Sequence, residues 1–169
     1  KLDRCYQKPI TKGKVYNQNA INMSYIKTDS IDLILTSPPY TRVIRYGQFN
    51  WIRLWFLSKT GKEIDRDLFF SQSLPKYHDF MLKVLLEMKR VLKAKGKIIL
   101  IIGDVKERTN DSVINLAEEV WKNCAEPLAF KLVEPIIEDS ISDDSKVSRI
   151  WGTKKGNATK IDRILVLEK

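Results

Sequence analysis

An apolar run, Ile31-Asp32-Leu33-Ile34-Leu35, stops at Thr36-Ser37-Pro38-Pro39-Tyr40. Two successive prolines cannot donate to a sheet ladder, and each pushes the residue before it out of the helical region. The run must therefore end in a stiff, extended corner that carries a hydroxyl and an aromatic ring. Bounded by Asp29-Ser30 on one side and this corner on the other, Ile31 to Leu35 reads as a buried strand.

A second run, Ile98 to Ile102, is apolar throughout, as expected of a central parallel strand covered on both faces, and Gly103-Asp104 closes it. Between the two, Phe80, Met81, Val84, Leu85, Met88, Val91 and Leu92 recur at three- and four-residue steps, which predicts a helix over Tyr77 to Leu92. Gly96 is its expected left-handed stop. Phe49 to Leu57 reads as a short, largely buried helix with Trp51 and Trp55 in the core, and "SKTGKEIDRD" as a polar loop. Lys14 to Tyr16 is short and β-prone. A helix capped by Asp111 or Ser112 runs to Cys124, with Val113, Leu116, Ala117, Val120 and Trp121 inward. Leu128 to Ile137 and Ile161 to Leu167 read as strands. The order indicates an α/β fold, its sheet mostly parallel and finishing in an antiparallel hairpin. Ligands of such sheets bind beyond the carboxyl ends of the strands, where both the Ser-Pro-Pro corner and Gly103-Asp104 fall.

The chain has 169 residues, enough for one domain with its own core. Its 30 Lys and Arg against 21 Asp and Glu leave a charge of +9, which favours an acidic partner, nucleic acid being the commonest. Cys5 and Cys124 form no CxxC pair and read as reduced thiols of a cytoplasmic protein. No run approaches the length of a membrane span, and no signal-peptide pattern opens the chain. The single histidine, His78, has no ligand set around it, so no metal is expected.

One reading of the corner is a plain turn with a buried tyrosine; the other is a site chemically apt for activating an amino group. Prolines fix the backbone, so the Ser37 side chain and the Pro38 carbonyl form a rigid pair of acceptors matched to a planar amino group with two N–H bonds. Tyr40 adds a face on which a base can stack, worth roughly 1–3 kcal/mol. The exocyclic amine of a nucleobase is a poor nucleophile because its lone pair is delocalised. Acceptors that draw its protons out of the ring plane localise that pair.

"LTSPPY" after a buried strand resembles the catalytic motif of the amino-group DNA methyltransferases, D/N/S-P-P-Y/F/W. These enzymes use S-adenosylmethionine to methylate cytosine N4 or adenine N6. The resemblance extends to "RYGQFNWIRLWFL", to "LLEMKRVLKAKGKIILIIGDV" and to the final "KIDRILVLEK". It implies a Rossmann-like methyltransferase sheet, with Ser37 and Pro38 on the target amine, Pro39 shaping the turn and Tyr40 stacking on a base flipped out of double-stranded DNA. Transfer is then direct attack of the amine on the sulfonium methyl. The Ser variant favours cytosine N4 over adenine N6, in a restriction-modification setting. By the same resemblance, Thr36 and Asn19 fall near the cofactor, Asn19 standing where relatives carry an Asp. Arg42, Arg45, Tyr46, Gly103, Asp104, Trp151 and Lys154 fall near the target base or the DNA strands.

One family feature is missing. The cofactor turn, usually F-x-G-x-G, has no counterpart among the seven glycines, none of which forms Gly-x-Gly. The resemblance therefore implies only the catalytic, target-base-binding part of a methyltransferase domain over residues 1–169, the cofactor half lying upstream or on a second chain. The strand carrying Ser37 would then have an open apolar edge, a liability unless another segment covers it. The alternatives are a catalytically silent nucleic-acid-binding subunit and an RNA base methyltransferase.

Overall fold

The computed structural model describes residues 13–39, 41, 46–69, 71, 73–106, 112–140 and 158–169. Strand β1 is Ile31–Thr36, followed by three short helices: α1 (Tyr46–Phe49), α2 (Trp51–Phe56) and α3 (Gly61–Asp67). Next come the long helix α4 (Leu74–Val91), the long strand β2 (Leu92–Lys106) and the two-residue β3 (Val113–Ile114). Helix α5 (Leu116–Val120) continues as a π turn over Trp121–Ala125 and a 3-10 turn over Glu126–Leu128. Strands β4 (Lys131–Leu132), β5 (Ile137–Ser140) and β6 (Ala158–Glu168) complete the order.

The strands form one sheet in the order β1-β2-β6-β4, with β3 on β2 and β5 on β6. Only β1 and β2 are parallel; β6 runs antiparallel to β2, β4 and β5, and β3 antiparallel to β2. Among the described residues the sheet is therefore mixed rather than mostly parallel, although the closing antiparallel hairpin of β5 and β6 is present. The strand expected over Leu128 to Ile137 is broken and shifted. Ala129 takes a left-handed φ of 55°, and Pro135, which has no N–H, separates β4 from β5 along the same edge of β6.

One face of the sheet is dry. Ile98, Leu100 and Ile102 of β2 and Leu165 and Leu167 of β6 are fully buried in one cluster with Tyr77, Met81, Val84, Leu85, Met88 and Val91 of α4. Leu116, Ala117, Val120 and Cys124 join that cluster from the α5 side. Burial in this apolar setting pushes the Cys124 thiol up to about 12. The other face differs. Ile99 and Ile101 are only half-buried, and Leu33 and Leu35 of β1 are 54% and 64% exposed, so β2 is not covered on both faces. β1 pairs with β2 alone, so its outer edge is open among the described residues.

Local chemistry accounts for the remaining differences from the sequence reading. Helix α4 ends at Val91 because Leu92 is already extended, and the left-handed residue is Lys95 (φ 63°), not Gly96. The register slips here, Ile31 pairing with Leu92 but Leu33 with Lys97, so Lys93 to Gly96 bulge out of the ladder. Gly96 serves close packing, since a Cβ would lie 2.7 Å from the Leu92 side chain and 2.9 Å from the Lys93 carbonyl. The expected polar loop contains α3, started by a capping box in which Thr60 Oγ1 accepts from the Glu63 amide and Glu63 Oε2 from the Thr60 amide. Asn115, whose Oδ1 accepts from the Glu118 amide, caps α5, and Val113 lies in β3 with its side chain exposed. Lys14 to Tyr16 is not a strand.

Helix α2 is the largest departure. Only Leu54 is buried, while Phe49, Trp51, Ile52, Trp55, Phe56 and Leu57 are all more than half exposed. Backbone contact sets its neighbours. A Cβ on Gly47 of α1 would lie 2.1 Å from the Gly61 carbonyl at the start of α3, and the Gly47 amide donates to Asp65 Oδ1 at 2.6 Å.

A buried ion pair ties the far end of the sheet together. Arg163 of β6 donates from Nε (2.9 Å) and Nη2 (2.9 Å) to the carboxylate of Asp104 on β2, whose side chain is fully buried. Its Nη1 reaches Glu138 of β5 at 2.8 Å. The two carboxylates beside it, Asp104 first, raise the pKa of the guanidinium further.

Two sets of substitutions check this packing. Gly47→Ala is expected to cost about 1–3 kcal/mol by overpacking, whereas Gly13→Ala, with nothing within 4 Å, leaves the urea midpoint unchanged. Asp104→Ala, which leaves the half-buried Arg163 guanidinium only its Glu138 side, should cost about 1–3 kcal/mol in the same titration. Glu138→Gln, at the exposed end of that guanidinium, should cost less than about 1 kcal/mol.

Candidate active site

The corner leaves β1 where the ladder stops. Thr36, half-buried, is the last residue of β1 and pairs with Leu100. Ser37 is exposed, Pro38 buried and Pro39 half-buried. The middle of the corner is thus packed down while the hydroxyl-bearing residue faces outward. β2 continues past Leu100, so Gly103-Asp104 lies about 10 Å further along the same direction. The two features share one end of the sheet.

Their chemistry there differs. Gly103-Asp104 does not close the strand. It is an irregularity inside β2, where Gly103 pairs with Asp162 but Val105 with Ala158. The Asp104 carboxylate, 2% exposed as a residue, is engaged by Arg163. Gly103 is buried beside it.

The other side of the corner is anchored too. Thr41 is 1% exposed, and its Oγ1 donates to the Ser71 carbonyl at 2.7 Å. Tyr46 opens α1 half-buried, its carbonyl accepting from the Asn50 amide at 3.0 Å and side-chain nitrogen at 2.8 Å. Tyr40, Arg42, Arg45, Trp151 and Lys154 lie outside the described residues.

Asn19 opens a turn. Its Oδ1 accepts from the Ile21 amide at 3.1 Å and its carbonyl from the Asn22 amide at 3.0 Å, which is ordinary turn chemistry. The chain that follows is strapped to the C-terminal end of α4. Arg90 donates to the Met23 and Ile26 carbonyls and to Glu87, which in turn accepts from the Met23 amide. The Ser30 amide then bonds to the Val91 carbonyl. This strap lies where β1 begins, at the opposite end of the sheet from Ser37. The Arg90 hydrogen bond, and then the Met23 amide, hold the Glu87 carboxyl below its ordinary value.

Among the described residues, no group of three or more His, Cys, Asp or Glu is placed to hold a metal ion. His78 Nε2 lies 3.2 Å from a Glu119 carboxylate oxygen. An open cleft of about 670 Å³ lies between α2 and α3, lined by Gln48, Trp51, Thr60, Gly61, Lys62 and Asp65, and includes no residue of the corner. No described helix is long and apolar enough to cross a membrane.

Two residues of this region escaped the sequence reading. Arg163 was hidden because its partner is 59 residues away. Thr41 was hidden because its partner is a main-chain carbonyl, which no sequence pattern marks.

Comparison with known proteins gives the family and the fold. The curated type II methyltransferase M.MthZI of Methanothermobacter thermautotrophicus is 32% identical over 102 residues, which are 58% of this chain and 27% of that enzyme. Among solved structures, TTHA0409 of Thermus thermophilus, assigned as a DNA modification methylase, superposes with a TM-score of 0.52 at 20% identity. That match covers 90% of this chain and 52% of the other. The PvuII DNA methyltransferase, cytosine-N4-specific, gives a TM-score of 0.57 at 14% identity, covering 90% of this chain and 48% of the enzyme. The chain thus spans about a quarter of its curated relative and about half of these structures. The family profile for DNA methylases matches residues 31–146, from the first residue of β1 past the end of β5. The chain belongs to the N6/N4 DNA methylase family.

Proposed function

We propose that this chain is the acceptor side of a DNA amino-methyltransferase, acting on cytosine N4 ahead of adenine N6 in a restriction-modification system. The observation that carries this is the Ser37-Pro38-Pro39 corner itself. It stands at the carboxyl end of the strand that pairs in parallel with the longest strand of the sheet, with Ser37 outward and Pro38 packed down. Ser37 rather than Asp or Asn in the motif favours cytosine. So does the likeness to an enzyme named cytosine-N4-specific, while the type II name of M.MthZI favours the restriction-modification setting.

The chain's own residues then have defined tasks. The amine of a flipped base donates one N–H to Ser37 Oγ and the other to the Pro38 carbonyl. This pulls the nitrogen toward tetrahedral geometry and localises its lone pair. Tyr40 stacks on the base and offsets part of the few kcal/mol spent in extruding it. The net charge of +9 suits the phosphate backbone, with Arg42, Arg45 and Lys154 as candidate contacts.

S-adenosylmethionine supplies the methyl group in this reading; one of the solved TTHA0409 structures is a complex with it. The described residues do not fit its methionine end. There is no Gly-x-Gly turn, and the flank of β1 where such a turn would approach is an open edge with Leu33 and Leu35 uncovered. The cofactor side therefore comes from another segment of the same protein or from a second chain that covers this edge. The same gap favours a second reading, a nucleic-acid-binding subunit without catalysis of its own.

Methyl transfer from labelled S-adenosylmethionine to unmethylated DNA separates the two, with product nucleosides identified by mass. The assay compares this chain with the longest natural protein containing it. N4-methylcytosine is expected from the longer protein and no product from this chain alone. N6-methyladenine would reassign the base, and DNA binding without product would establish the silent subunit. In the active protein, Tyr40→Ala should lower turnover about tenfold or more through lost stacking, with an unchanged circular dichroism spectrum. Wild-type turnover in that variant would remove Tyr40 from the base.

A further inference from the structure

The corner has two ends, and the proposed chemistry uses only what lies between them. Its N-terminal end is fixed by the ladder, which holds Thr36 against Leu100. Its C-terminal end is fixed by Thr41, whose Oγ1 donates to the Ser71 carbonyl across 30 residues of chain. The Ser71 hydroxyl in turn accepts from the Ser73 amide at 3.0 Å and donates to the Ser73 carbonyl at 3.4 Å. That carbonyl also accepts from the Tyr77 amide at 3.1 Å, in the first turn of α4. Three linked residues thus connect the corner to an 18-residue helix whose buried face lies in the core.

This linkage matters because of what prolines leave undone. Pro38 and Pro39 fix their own φ angles but not ψ, and neither has an N–H to bond. Between Thr36 and Thr41 the chain would still swing about these ψ angles if its far end were loose. Thr41 is 1% exposed and Ser71 9% exposed, so their bond lies away from competing water. Valine has nearly the shape of threonine and would fill the same space more cheaply. What valine lacks is a directional bond.

We infer that Thr41 is a positioning residue for the acceptor site: its hydroxyl bond to the Ser71 carbonyl locks the exit of the Ser-Pro-Pro-Tyr corner to the start of α4. The lock keeps Ser37 Oγ and the Pro38 carbonyl at the spacing a planar amine requires. It rests on the methyl-transfer reading above and deepens it. The residue touches no substrate; it acts through the corner.

The test uses the longest natural protein containing this chain, with Thr41→Val, Thr41→Ala and Thr41→Ser made in parallel. Steady-state kcat and the KM values for DNA and S-adenosylmethionine are measured, together with melting temperatures. Loss of the lock should lower kcat about ten- to a hundredfold in the Val protein, as displacement of reacting groups by an ångström does, while KM for S-adenosylmethionine stays the same. Thr41→Ser, which keeps the hydroxyl, should restore most of the rate. Thr41→Ala supplies a second hydroxyl-free protein should the valine fail to pack. Wild-type kcat in a folded hydroxyl-free variant overturns the inference and leaves the methyltransferase reading standing. Equal losses in the Ser and Val proteins overturn it as well, because packing rather than the hydroxyl would then be responsible. A wild-type protein that transfers no methyl group overturns the methyltransferase reading and this role with it.

Discussion

Strand β2 is the constraint on which the rest depends. It pairs in parallel with β1 on one side and antiparallel with β6 on the other, and its alternate residues Ile98, Leu100 and Ile102 go under α4 and α5. Fixing the β1 register fixes where β1 stops, and so where Ser37 stands. Running past Leu100, β2 also brings Asp104 to Arg163 and so draws β6 and β5 to the same end of the sheet. A slip of one residue in β2 would turn its dry face toward the uncovered one, which the burial of Ile98, Leu100 and Ile102 strongly opposes.

Those parts of the fold governed by periodicity or by a hard backbone limit were legible from the residues. The spacing of α4 and the stop imposed by Pro38-Pro39 correspond to the structure to within about three residues at their ends, while the apolar run Ile98 to Ile102 marks only the middle of the longer β2. Features that depend on what lies opposite were not. The apolar α2 reads as buried because its composition carries no information about whether anything covers it. The positive φ of Lys95 was assigned to Gly96 because glycine is the usual occupant of that conformation, whereas here glycine is needed for close approach to Leu92 and Lys93. Helix α3 was missed although Thr60 and Glu63 spell a capping box, a local signal outweighed by the polar residues around it.

The candidate site divides in the same way. The order of residues around Ser37 marked where β1 stops, and Gly103-Asp104 lies toward the same end of the sheet, as expected. What Asp104 does there followed from a partner far off in the chain. Its carboxylate is buried and held by Arg163, which links β2 to β6. Asn19 is held in a turn by the Ile21 and Asn22 amides, a local pattern that its residue type already allows.

The contact between Gly47 and Gly61 has a consequence of a different kind. There the separation of α1 and α3 is set by main chain against main chain, with the Asp65 carboxylate closing on the Gly47 amide. None of Gly47, Gly61 and Asp65 belongs to α2. Ile52, Trp55 and Phe56, exposed on α2, stand outside that contact. In this stretch of chain the approach of the helices and the exposed apolar surface are carried by different residues.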